Sequence, residues 1–152
     1  MRQIGVQDIE PGIVKGINVQ MPPTAVGYRE AYFEWTPSSL TVPFKTNEVS
    51  GGILRAGHHV PVFCEVETHA DAEMFYFLSG TALMLFVDVN EGQADLESAQ
   101  IVRIPAGTQL VIPSGKGHFV PVAEGDESVE MIVVAPRMDA PRVPLPTPIE
   151  GV

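Results

Sequence analysis

Glu67-Thr68-His69-Ala70-Asp71-Ala72-Glu73, followed after six residues by Gly80, is the first of two stretches that decide the fold. The second is Gly107 and then Pro113-Ser114-Gly115-Lys116-Gly117-His118. In a strand, alternate side chains share a face, so Glu67 and His69 point the same way. Glu73 has the same parity if the turn around Asp71 does not reset it, and Phe75 and Phe77 continue that face inward. Carboxylates and imidazoles on an apolar inner face are costly unless they bind something. A divalent metal resolves that cost, because it consumes both the charges and the lone pairs. The glycines of the second stretch let the chain bend sharply and deliver His118 to a fixed position.

Around these stretches the chain reads as one all-β domain. It has 152 residues, with fourteen glycines and fourteen prolines spread between short runs of Val, Ile, Phe and Leu. That is the punctuation of many short strands. The expected strands are 31–34, 48–54, 60–69, 74–78, 82–89, 101–104, 109–112, 118–122 and 130–135. Ser79-Gly80 reads as a hairpin turn, Asn90-Glu91-Gly92-Gln93 as the start of a loop, and 94–99 as at most a turn of helix. The barrel domain is expected over 1–135, with an extended N-terminal segment. The tail 136–152 carries five prolines, which lack a backbone donor, so no interior strand is expected there. It is expected to wrap over the barrel or a partner subunit, or to be disordered.

Composition narrows the partners. The formal net charge is −10, which argues against nucleic acid and against an anionic membrane surface. A small anionic molecule needs only one or two local cations and stays open. The single cysteine, Cys64, permits no intrachain disulfide. It lies off the parity of Glu67 and His69 and is expected to be buried and inert. No signal peptide or membrane span is expected, which makes a cytoplasmic location the default.

The two stretches resemble the two motifs of the cupin superfamily. The first motif is His-x-His, three or four residues, Glu, six residues, Gly. Glu67-x-His69, Glu73 and Gly80 match it, with Glu67 in place of the first histidine. The second is Gly, five residues, Pro-x-Gly, two residues, His, three residues, Asn. Gly107, Pro113-x-Gly115 and His118 match it, with Val122 in place of the asparagine. The resemblance implies a double-stranded β-helix (jelly-roll-like) barrel. It implies a metal held by Glu67, His69, Glu73 and His118. Such a ligand set suits Mn, Fe, Ni, Co or Zn.

Within that superfamily the chain looks most like ureidoglycolate lyase. Arg55-Ala56, Cys64-Glu65-Val66-Glu67-Thr68-His69, Phe75, Gly80, Asp95-Leu96, Gly107 and His118 follow that family's order. It departs at Val111-Ile112-Pro113 and at Gly117-His118-Phe119-Val120, where the family carries Asn-Tyr-His and Trp-His-His-Pro. The resemblance implies a metal-dependent carbon–nitrogen lyase of purine (allantoin) catabolism, releasing glyoxylate and urea from ureidoglycolate, and working as a homodimer. Glu73 would be ligand or base, with Glu65 as the other candidate base, and Arg55 would hold the substrate carboxylate. The alternatives are a cupin dioxygenase or isomerase, or a non-catalytic ligand-binding cupin. Lys116 is expected to face solvent, His58-His59 to be a loop pair, and Trp35 to lie in the core or an interface.

Overall fold

The computed structural model describes all residues, 1–152. The chain is all-β. Its strands are β1 (Arg2–Ile4), β2 (Val6–Asp8), β3 (Asn18–Gln20), β4 (Tyr28–Arg29), β5 (Glu34–Trp35), β6 (Ser50–Ala56), β7 (Val62–Glu67), β8 (Glu73–Ser79), β9 (Thr81–Asn90), β10 (Gln93–Pro105), β11 (Gln109–Ile112), β12 (Gly117–His118), β13 (Val122–Ala123), β14 (Val129–Ala135) and β15 (Arg142–Gly151). No helix is long and apolar enough to cross a membrane.

Two sheets face each other. The larger runs β1-β15-β7-β12-β9-β10-β2, with β13 also paired to β9; the smaller runs β3-β11-β8-β14-β6. Only Gly5 separates β1 from β2, yet these strands stand at opposite ends of the larger sheet's order. That sheet therefore curls back on itself, and the chain has a cupin-type barrel fold. The cluster containing Phe75, Phe77, Met84, Phe86, Val102, Leu110, Ile112 and Met131 joins the two sheets. A second cluster, with Phe63, Val66, Leu83, Leu85, Ile101, Val143, Leu145 and Ile149, lies within the larger sheet's own strands. Strand β9 serves both clusters, so its run Ala82–Val87 is apolar without alternation.

Several expectations are corrected. Residues 94–99 belong to β10, and Asn90–Gln93 is the tight turn of the β9–β10 hairpin, with positive φ at Glu91 (51°) and Gly92 (76°). Ser79-Gly80 is no hairpin turn, because β8 and β9 lie in different sheets. The expected strand 118–122 is split into β12 and β13.

The largest correction concerns the proline-rich tail, which supplies β15, an interior strand between β1 and β7. It tolerates its prolines because the pairing is discontinuous. Partners of β7 jump from Pro144↔Glu65 to Ile149↔Phe63, and β1 pairs only with Ile149–Gly151. Most of the proline stretch thus owes no ladder hydrogen bond on either side. Cys64 sits at that discontinuity and is exposed, not buried. Trp35 is also exposed, on the small β4–β5 hairpin.

Candidate metal centre

The cup is assembled from three neighbouring segments. Glu67 ends β7, His69 follows in the turn, and Glu73 opens β8. His118 lies on β12, directly opposite Glu67 on one side and Phe86 on the other. Two turns are tied together at His69, whose carbonyl accepts bonds from Gly115 N (2.9 Å) and Ser114 Oγ (3.2 Å). Asp71 fixes the first turn by accepting from the backbone N–H groups of Ala72 (2.7 Å) and Lys45 (2.8 Å).

Gly117 has a steric reason. A Cβ there would lie 2.8 Å from Val87 Cγ1 and 3.0 Å from the Val87 carbonyl oxygen, so only glycine lets β12 press against β9. Lys116 is buried, contrary to expectation, and its Nζ donates to Asp88 Oδ1 at 2.7 Å. That bond anchors the turn carrying His118 to β9.

Both imidazoles are oriented by backbone carbonyls. His118 Nδ1 lies 3.0 Å from Lys116 O, and His69 Nδ1 lies 3.2 Å from Asp139 O. A carbonyl can only accept, so each Nδ1 carries the hydrogen and each Nε2 turns inward, where it could coordinate a metal. His118 Nε2 is 2.8 Å from Glu73 Oε2, and His69 Nε2 is 3.1 Å from the same oxygen. Glu67 Oε1 lies 3.6 Å from His69 Nε2 and 4.0 Å from His118 Nε2. Phe75 packs edge-on against His118, with ring centroids 5.9 Å apart.

These residues fit a cation. One donor atom each from Glu67, His69 and His118 lies within 4.8 Å of the others. Glu73 falls outside that trio but touches both imidazoles. His69 Nε2 is buried and makes no hydrogen bond despite the nearby Glu73 oxygen. A buried ring nitrogen beside two carboxylates, without an aligned hydrogen bond to either, fits a metal-ligating role. Carbonyl-oriented imidazoles with inward Nε2 atoms are also the arrangement metal sites use.

The charges reinforce one another. Burial opposes the charged form of His69, but the carboxylates of Glu67 and Glu73 outweigh it and lift its pKa to about 10. Burial likewise opposes ionisation of Glu73, but the His118 and His69 contacts prevail and hold it at about 2. The His69 contact lowers Glu67 against its own desolvation, with His118 and Arg142 assisting.

Of the residues proposed from sequence, Glu67, His69, Glu73 and His118 come together. Arg55 does not. It lies on β6, its side chain is 71% exposed, and it pairs with Glu130 at 2.6 Å. Its neighbours Leu54 and Ala56 turn into the core instead, so strand alternation sends Arg55 outward. The pair His58-His59 sits outside the cup, with His58 Nδ1 bonded to Ala123 O. Sequence reasoning missed Asp139 and Arg142, which approach the cup from the tail. No local signal could have found Arg142, because it meets Glu67 only through the register of β15 on β7.

No protein-family model matches the sequence, and no curated protein matches it. Solved structures do. The chain is similar to dTDP-4-dehydrorhamnose 3,5-epimerase from Elizabethkingia anophelis NUHP1, with 17% identity, TM-score 0.50, and coverage of 80% of this chain and 69% of that one. It is also similar to oxalate decarboxylase from Bacillus subtilis, an enzyme with Mn(II) centres, at 21% identity and TM-score 0.45. The Lactobacillus farciminis oxalate decarboxylase aligns at 22% identity and TM-score 0.46. Both alignments cover 64% of this chain, which spans only about a quarter of either decarboxylase (24% and 26%). The likeness to the epimerase concerns the fold alone, a β-barrel of the cupin type. At such identities no substrate or reaction is carried across.

Proposed function

We propose that the protein is a metal-dependent lyase of the ureidoglycolate lyase type, acting on ureidoglycolate or a related small α-hydroxy acid. The observation that carries this reading is the convergence of Glu67, His69 and His118, with Glu73 against both imidazoles. A divalent transition metal held there by Glu67, His69 and His118, with Glu73 as fourth ligand or close neighbour, would supply Lewis-acid activation of a hydroxyl.

The chain's own residues divide the remaining work. Asp139 O and Lys116 O hold the imidazoles in the coordinating tautomer. Glu73 stays ionised and so accepts a hydrogen bond more readily than it keeps a proton. Glu65 has the same strand parity as Glu67 and a half-exposed side chain. In this reading Glu65 would take the hydroxyl proton and return it to the departing urea nitrogen as the carbon–nitrogen bond breaks. The products would be glyoxylate and urea. A homodimer belongs to the same reading and is supported by the edge strand β6, whose Ile53 is 73% exposed.

The test is glyoxylate release from ureidoglycolate by protein loaded in turn with Mn(II), Fe(II), Ni(II), Co(II) and Zn(II). Rates above the uncatalysed reaction, lost in His118→Ala, support the reading; background rates with every metal refute it. One observation favours a second reading, a metal-holding barrel without turnover. The cup is nearly closed, with side chains of His118, His69, Glu73 and Glu67 only 2, 8, 10 and 17% exposed. Metal binding without turnover on any small hydroxy acid would favour it.

A further inference from the structure

We propose that Arg142 is the carboxylate-binding residue of the cup, and that the ligand it selects is a small carboxylate anion carrying a second oxygen for the metal. This rests on the metal-cup reading above and replaces Arg55 in the role that sequence alone had suggested for it.

Four observations carry the proposal. First, position: Arg142 on β15 stands directly opposite Glu67 on β7, and directly opposed residues share a face of the sheet. Second, exclusivity: Arg142 is the one lysine or arginine within 4 Å of a cup carboxylate, its Nη2 lying 3.5 Å from Glu67 Oε2. The lysines near the cup are committed, Lys116 to Asp88 at 2.7 Å and Lys45 Nζ to the Ala70 carbonyl.

Third, availability. The two carboxylate contacts of Arg142, to Glu67 Oε2 and Glu65 Oε1, are both 3.5 Å. The arginine pairs elsewhere close to 2.6 Å at Arg2–Glu97 and 2.7 Å at Arg103–Glu124. Arg142 therefore sits beside carboxylates without spending its hydrogen bonds on them, and its side chain is 46% exposed. Fourth, its guanidinium sits over the Phe119 ring, 4.5 Å from the centroid, which braces the side chain beside the cup. A planar guanidinium with free donors binds a carboxylate in bidentate fashion. Glu67 Oε1 faces the imidazoles while Oε2 faces Arg142, so an anion at Arg142 lies next to the metal position.

The experiment compares glycolate with its neutral amide, glycolamide, on zinc-loaded protein by calorimetry, after zinc affinity has been measured by chelator competition. The wild type should bind glycolate at least tenfold tighter than glycolamide. Arg142→Met keeps an unbranched stem over Phe119 but removes the fork. It should weaken glycolate tenfold or more, change glycolamide less than twofold, and leave zinc affinity within threefold. Arg142→Lys, which keeps charge without the fork, should fall between. Arg55→Ala should match the wild type throughout.

Unchanged glycolate binding in Arg142→Met overturns the proposal, as does equal wild-type affinity for glycolate and glycolamide. Parallel loss of zinc and glycolate also overturns it, because Arg142 would then act only by orienting Glu67. Absence of zinc binding in the wild type removes the cup and the proposal together. Glycolate discrimination without turnover on ureidoglycolate refutes the lyase reading and leaves Arg142 in its role.

Discussion

Metal binding to this cup should be driven by pH through His69. The metal-free protein holds a proton on that imidazole with a pKa of about 10, because Glu67 and Glu73 outweigh the opposing burial. A metal needs the neutral ring, so the ion must displace the proton. Three units below that pKa, at pH 7, roughly one molecule in 1,000 has His69 neutral. Apparent affinity should therefore rise about tenfold per pH unit, or ~100-fold from pH 6.5 to 8.5. Glu73 contributes no slope there, since it is already ionised above about pH 2. Competition of Zn(II) against a chromophoric chelator measures the affinity. Calorimetry in buffers of different ionisation enthalpy should find about one proton released from His69 per ion. Glu73→Gln removes one of the carboxylates that lift His69 and should flatten the slope above neutrality. An affinity independent of pH over this range, with no proton released, refutes the account of His69.

The same groups set the stability of the metal-stripped protein. His69 is raised from 6.5 to about 10, so its contribution is whole below pH 6.5 and lost as pH rises through about 10. Glu73 is lowered from 4.5 to about 2, so its contribution is whole above pH 4.5 and lost as pH falls through about 2. Thermal midpoints should peak between pH 4.5 and 6.5, and a maximum at pH 8 or above contradicts this. Gly117→Ala places a Cβ 2.8 Å from Val87 Cγ1 and should cost ~1–3 kcal/mol in chemical denaturation, with loss of zinc affinity. Ile149→Ala, at a fully buried position of the tail strand, should cost ~2–5 kcal/mol; a change below ~0.5 kcal/mol means that the tail does not pack as described.

The cup was legible in the sequence because its parts obey local rules. Glu67 and His69 are two apart on a strand, and glycines at 115 and 117 announce the turn before His118. What the sequence hid is what depends on distant partners. Cys64 and Val66 have the same parity, yet one is exposed and the other buried, because the pairing of β15 breaks opposite Cys64. Residues 94–97 do alternate apolar and polar, and their burial alternates with them, but Ala, Leu and Glu also favour helix, so the short run reads either way until β9 pairs with it. Arg55 and Arg142 make the contrast sharpest. Arg55 precedes the motif at a suggestive distance, and strand alternation turns it outward. Arg142 lies seventy-five residues beyond Glu67 in a segment whose prolines argue against a strand, and a register only the folded sheet defines sets it beside the metal position. Ligands that share a strand or a turn can be read from spacing. A group that meets them through the register of a discontinuous strand cannot, and for that reason the charge proposed to select the ligand came into view only with the fold.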